Sequence, residues 1–171
     1  METARPATPA DIPAVVALAH ALRAELQPMR GGALWGLRDA ADDPLDPVFS
    51  GLLDRDDALV VVGCIDDAVV GFGTVVVETL RDGSRLGVIG ELFVDPDARA
   101  VAVGESVAGA LVAFCEGAGC IGIDAFALPG HREAKNFFER NGFTARALTM
   151  FKALPGHERL AGPGPTDGPA D

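Results

Sequence analysis

Apolar positions along the chain alternate between two periods. Ile12, Val15, Val16, Ala19, Leu22 and Leu26 recur at helical spacing behind Pro9-Ala10-Asp11, which reads as a helix start. Val103, Val107, Ala110, Leu111 and Phe114 repeat that spacing and predict a second long helix, Val103 to Gly117. Between them lie two β-rich runs, Ala58 to Ile65 and Ala68 to Leu80, joined by Asp66-Asp67 as a hairpin turn. The turn Arg81-Asp82-Gly83-Ser84 leads into a third run, Leu86 to Val94. A short strand at residues 3–7, an irregular stretch at 28–47 and a short helix near Val48 to Leu53 complete the first half. A strand Cys120 to Ala127, a helix His131 to Arg140 and a last strand Thr144 to Lys152 complete the second. The predicted order is β-α-α-β-β-β-α-β-α-β. An antiparallel meander followed by a β-α-β crossover defines a mixed-sheet α/β domain.

Composition narrows this picture. The chain has 171 residues, 49% of them apolar, enough for one core and too few for two. Eight of the 17 residues from Pro155 to Asp171 are Gly or Pro, so residues 1–154 read as the folded domain and 155–171 as a disordered tail. Fourteen Lys and Arg against 25 Asp and Glu leave a net charge of −11, which argues against nucleic acid and anionic membranes as partners. No apolar run approaches a membrane span, and Asp11 and His20 interrupt the N-terminal apolar stretch, unlike a signal peptide. Cys64, Cys115 and Cys120 are odd in number and lie in apolar contexts, as for reduced thiols of a cytoplasmic protein. His20, His131 and His157 show no metal-ligand spacing along the chain, so no metal is expected. Tyrosine is absent.

The segment Gly87 to Gly104, GVIGELFVDPDARAVAVG, carries the candidate chemistry. A buried strand ends at Val94, Asp95-Pro96 breaks it, and a short loop with Arg99 reaches a helix N-terminus near Val103. Unpaired amides and the positive end of the helix dipole suit a phosphate there, although an ordinary strand–loop–helix connection has the same pattern. Glu91 interrupts the apolar run three residues before the strand end. A carboxylate in such surroundings is expected to titrate high enough to serve as a general base; the alternative is a pair with Arg85 across the sheet.

ELFVDPDARAVAVGESVAGALV resembles the acetyl-CoA-binding segment of the GNAT N-acetyltransferase superfamily: a strand, a Val-x-Pro step, then Q/R-x-x-G-x-G/A opening a long helix. ARPATPADIPAVVAL resembles the family's opening strand and first helix, and AKNFFERNGF its A-x-x-x-Y-x-x-x-G-F helix and following strand. The resemblance covers residues 3–152 and implies the GNAT fold, a mixed, mostly antiparallel sheet splayed between its fourth and fifth strands and flanked by helices. It also implies an acetyl-CoA-dependent N-acetyltransferase acting by direct transfer in a ternary complex, with a primary amine on a small molecule or peptide as acceptor. By motif position, backbone groups of Phe93 and Val94 would hold the pantetheine, and the loop Arg99, Ala100, Val101, Ala102, Val103 and Gly104 the pyrophosphate. Asn136 would reach the pantetheine or adenosine, or is simply a solvated helix residue. Glu91 would be the base. A homodimer through the last strands would also suit the family.

Three positions depart from the family pattern. Ala102 stands where the loop usually has its first Gly, at a cost only if its φ is positive. Val101 and Glu105 stand where basic residues are common, and Phe138 replaces the tyrosine that commonly protonates the departing thiolate. Ser106 and His131 are the remaining proton donors to consider, and a thiolate can also leave without one. On the acceptor side, Trp35 among Asp39, Asp42, Asp43 and Asp46 would suit a cationic amine, or is part of a solvated acidic loop. These departures leave an alternative: a catalytically weak acyl-CoA-binding sensor or partner subunit of the same fold.

Overall fold

A computed structural model describes residues 1–99 and 102–163. The chain divides into two compact units, Met1–Leu22 with Ala41–Phe126, and Arg23–Ala40 with Ala127 onward.

The first unit is built on a five-stranded sheet in the order β1 (Glu2–Pro6), β2 (Ala58–Ile65), β3 (Ala68–Thr79), β4 (Arg85–Val94) and β5 (Cys120–Asp124). Neighbouring strands are antiparallel except β4 and β5, which run parallel across the helical crossover α4 (Val103–Gly117). The β2–β3 hairpin turns on Asp66 and Asp67, both with positive φ (46° and 70°), as a two-residue turn between twisted strands requires. β2 is buried on both faces, consistent with its unbroken run of valines.

Glycines determine how closely α4 sits on this sheet. A Cβ on Gly63 would lie 2.5 Å from Val103 Cγ1, one on Gly73 2.8 Å from Val107 Cγ1, and one on Gly87 2.4 Å from Cys115 Sγ. Side chains alternate faces along a strand, so Phe72, between Gly71 and Gly73, points the other way. There it meets Phe49 of α3 (Leu45–Leu53) edge-on at 5.7 Å. At the entry to α1 (Ile12–Leu26), Asp11 accepts two bonds from Arg5 (2.7 and 2.9 Å) and two from Thr8 (2.7 and 2.8 Å) while 8% exposed. The Arg5 guanidinium holds the Asp11 carboxyl far below the usual range.

The second unit contains the end of α1, α2 (Gly32–Arg38) and α5 (Arg132–Arg140). Two expectations are corrected here. Within the stretch 28–47, expected to be irregular, Gly32–Arg38 is helical, started by Gly31 at φ 79°. Thr144 to Lys152 forms no strand; Leu148 and Met150 are 85% and 88% exposed. Its apolar residues fall on both alternate faces, and β-propensity yields a strand only where a neighbour pairs its backbone. Of the tail expected from Pro155, residues 155–163 are described within this unit. They include a 3₁₀ turn at Glu158–Ala161, and Arg30 Nε donates to the Pro163 carbonyl at 3.3 Å. The rest lies outside the described residues. Among the described residues no helix is long and apolar enough to cross a membrane.

Candidate active site

β4 outruns its parallel neighbour. Its pairing with β5 starts at Arg85↔Cys120 and ends at Val88↔Asp124, whereas its pairing with β3 continues to Gly71↔Val94. The C-terminal half of β4, Ile89–Val94, therefore presents an edge with no β5 register: the predicted splay.

Within that half the strand is bulged. Gly73 faces Leu92 and Val75 faces Ile89, so Gly90 and Glu91 together oppose Thr74. Such a bulge bends the strand and re-aims a side chain. Here the Glu91 N–H donates to Thr74 Oγ1 at 3.1 Å, and a Cβ on Gly90 would stand 2.9 Å from that oxygen, so residue 90 must be glycine for this contact to form. Glu91 is 7% exposed, and both its carboxylate oxygens are closed off from bulk water. Arg85 does not pair with it: Arg85 Nη1 donates to the Ala118 carbonyl at 3.0 Å.

The strand end follows the alternation of an antiparallel ladder. Asp95 N–H donates to the Val70 carbonyl at 2.8 Å, which makes Gly71 and Val94 a non-hydrogen-bonded pair. Val94, and Leu92 two residues back, thus direct their backbone groups away from β3 toward the open edge, while Phe93 directs its own toward Phe72. Spacing alone could not distinguish Phe93 from Leu92; the register does. The Val94 carbonyl accepts from Arg99 Nε at 3.0 Å, and the Arg99 guanidinium lies 5.2 Å from the centre of the Phe93 ring.

Beyond Arg99 the loop reaches α4. Ala100 and Val101 lie outside the described residues. Ala102 is the N-cap with φ −72°, so its Cβ brings no strain and the glycine usual there is not required. The N-cap Ala102 has no side chain to cap α4, and the first-turn amides of Val103, Gly104 and Glu105 have no intrahelical acceptors. Val103 is fully buried against Gly63, which fixes this helix start beside the strand ends. Glu105 is exposed, and Ser106 Oγ donates back to the Ala102 carbonyl at 3.0 Å.

The remaining candidates belong to the second unit. Asn136 is exposed on α5. Trp35 lies on α2, 5% exposed. Phe138 stacks edge-on with Phe137 (5.4 Å) and Phe143 (5.3 Å). The three cysteines are free; Cys64 and Cys115 are buried, and burial together with its hydrogen-bond partner Cys120 pushes the Cys115 thiol up to about 11.

A β4 that outruns β5 and leads through a short loop into a long helix is the arrangement that the sequence resemblance implies, and comparison with known proteins identifies the family. Residues 20–143 match the model of the acetyltransferase (GNAT) family, and the chain belongs to that family. No match is found among curated proteins. Solved structures with the same fold include glucosamine-6-phosphate N-acetyltransferase from Arabidopsis thaliana, at 22% identity and TM-score 0.63, covering 90% of this chain and 99% of that one. An acetyltransferase from Trypanosoma brucei matches at 18% identity and TM-score 0.64, covering 90% and 100%. AAC(6')-Iy, solved with the bisubstrate analogue CoA-S-monomethyl-acetylneamine, matches at 14% identity and TM-score 0.69, covering 90% and 98%.

Proposed function

We propose that this protein is an N-acetyltransferase that moves the acetyl group of acetyl-CoA directly to a primary amine, with Glu91 as general base. The observation that carries the reading is the succession of a water-shielded carboxylate at the bulge of β4, a strand edge beyond the β5 register three residues on, and a helix start just beyond whose N-cap Ala102 supplies no side-chain cap.

Acetyl-CoA, the donor substrate, supplies an acetyl thioester whose thiol is an acceptable leaving group. Each role on the protein follows from a placed group. The open-edge backbone of Val94 and Leu92 would pair with the pantetheine amides as an added strand, and the loop from Arg99 to Gly104 would meet the pyrophosphate with amides and helix dipole. Phe93 would contribute through its ring, which positions Arg99. The amine arrives as an ammonium ion, and the Glu91 carboxylate would take its proton, leaving a neutral nitrogen to attack. The Val94 N–H would polarise the carbonyl under attack. As the tetrahedral adduct collapses, its nitrogen sheds a second proton; with no tyrosine in the chain, water would carry that proton to the departing thiolate, or the thiolate would leave as the anion and the proton pass to solvent. A cytoplasmic location fits a free amine acceptor and reduced thiols.

A second reading, an acyl-CoA sensor with weak turnover, is favoured by the Arg99 bond that already occupies the Val94 carbonyl, and by Phe138 in the tyrosine's place. Isothermal titration with acetyl-CoA and CoA, followed by thiol release against a panel of primary amines, separates the two. Micromolar binding with amine-dependent release is the expected result. Binding without release on any amine would establish the sensor, and no binding up to millimolar would remove both.

A further inference from the structure

The first unit brings two of its free thiols together at the end of β4 remote from Glu91. Cys115 lies in the last turn of α4, 1% exposed, with its Sγ over Gly87, where no side chain displaces it. Ile123 of β5 approaches Gly87 on that same face. Arg85, two residues before Gly87, shares the face by strand alternation, and its Nη1 donates to the Ala118 carbonyl just past α4 at 3.0 Å. Cys120 is the register partner of Arg85. The register then shifts: Leu86 pairs with Gly122, so Ile121 has no partner on β4 and turns outward, 70% exposed. Strict alternation would send Cys120 and Ile123 to opposite faces; the shift lets both face α4. The chain reverses between helix and strand through Ala118, whose N–H donates to the Phe114 carbonyl at 2.9 Å, and Gly119, which donates to the Glu116 carbonyl at 3.0 Å with φ 72°. The Cys115 and Cys120 thiols share a hydrogen bond across this reversal.

We propose that Cys115 and Cys120 are a peroxide-reactive pair, in which Cys120 is oxidised first and Cys115 resolves it as an intrachain disulfide. Access assigns the order. Cys120 is half-buried and within reach of a small oxidant, whereas Cys115 is sealed between α4 and the sheet. Burial also pushes the Cys115 thiol up to about 11, so it stays protonated near neutral pH, and the thiolate is the form that attacks a peroxide. In the first step the Cys120 sulfur bonds to one oxygen of hydrogen peroxide, the O–O bond breaks, and the thiol proton leaves with the other oxygen as water. In the second step the Cys115 sulfur bonds to the Cys120 sulfur, the S–O bond breaks, and the Cys115 proton leaves with the hydroxyl as a second water. Two thiols are oxidised to one disulfide while one peroxide is reduced to two waters. The closed loop runs six residues, Cys115 to Cys120, and ties the end of α4 to the start of β5. Thiol reductants reverse an oxidation of this kind. The pair lies at the opposite end of β4 from Val94, and the proposal is independent of the acetyltransferase reading.

The test is peptide mapping of the full-length, reduced protein after exposure to hydrogen peroxide, with remaining thiols alkylated under denaturing conditions. Residues 100–132 form one tryptic peptide that contains Cys115 and Cys120 and no other cysteine. That peptide is expected to lose about 2 Da, the two thiol hydrogens, and to escape alkylation while Cys64 is alkylated. The thiol titre should fall from three to one, and dithiothreitol should restore it. Cys120→Ser should leave Cys115 and Cys64 reduced through the same treatment. Cys115→Ser should hold Cys120 as the sulfenic acid, trapped by dimedone, and Cys64→Ala should leave the result unchanged. The wild-type map stands without any variant. Cys120 ending as the sulfinic acid in the wild type, dimers linked through Cys120, a bridge that includes Cys64, or three thiols intact after about 1 mM peroxide would each overturn the proposal.

Discussion

α4 of the first unit buries Val103, Val107, Leu111 and Cys115 almost completely against glycine-faced strands, whereas α5 of the second unit buries nothing and is followed by Leu148 and Met150 almost fully exposed. Both helices are amphipathic in sequence. The difference lies in what faces them: α4 meets a sheet whose small residues admit it to close range. That contrast also divides the candidate chemistry. On the first unit it depends on backbone geometry, namely a bulge, a strand edge beyond the β5 register and a helix start, which the tight packing holds in place. On the second it depends on individual side chains, which a less constrained frame presents.

Substitutions can break this comparison, starting where the effect is largest. Leu111→Ala, in the fully buried seam of α4, should destabilise the protein by about 3 kcal/mol in urea unfolding, while Leu148→Ala should change stability by less than about 0.5 kcal/mol. Equal effects would erase the distinction between the units. Gly73→Ala places a Cβ 2.8 Å from Val107 Cγ1 and 2.9 Å from Leu111 Cδ1 and should cost about 2 kcal/mol by overpacking, with acetyl-CoA binding weakened as α4 shifts.

Asp11→Asn should cost about 1–2 kcal/mol at neutral pH. Because Asp11 binds its proton less tightly in the folded state than in the unfolded chain, its contribution is complete above the ordinary carboxylate range and fades as pH falls through that range and below. The wild type and Asp11→Asn should therefore converge in stability on acidification; a constant gap would count against the Arg5–Asp11 contact. The smallest effect concerns the thiols. Iodoacetamide at pH 8 should modify Cys120 well before buried Cys115, whose thiol stays protonated; mass spectrometry of the labelled peptides reads the order directly.

Most of the first unit was legible in the sequence because its patterns are strong. The boundaries of β2 and α4 match their apolar runs, and the Asp66-Asp67 turn has the geometry that a two-residue hairpin needs. The backbone that presents the candidate site was legible only in outline. Motif position located residues 93 and 94, but which of them faces the open edge depends on the register with β3 and on the bulge opposite Thr74. No local pattern encodes either. The second unit was read less well. α2 follows a glycine at positive φ inside a stretch rich in breakers, and the run 144–152 has strand-forming residues without a paired edge.

The base assigned to Glu91 is the claim on which the enzymatic account depends, and steady-state thiol release by Glu91→Gln at saturating acetyl-CoA and a fixed amine tests it most directly. The account predicts a fall in kcat of about 10²–10⁴ near neutral pH, acetyl-CoA affinity within about twofold of wild type, and a deficit that narrows as pH rises toward the pKa of the amine, where the acceptor loses its proton unaided. An unchanged kcat, or an equal deficit at every pH, would contradict it.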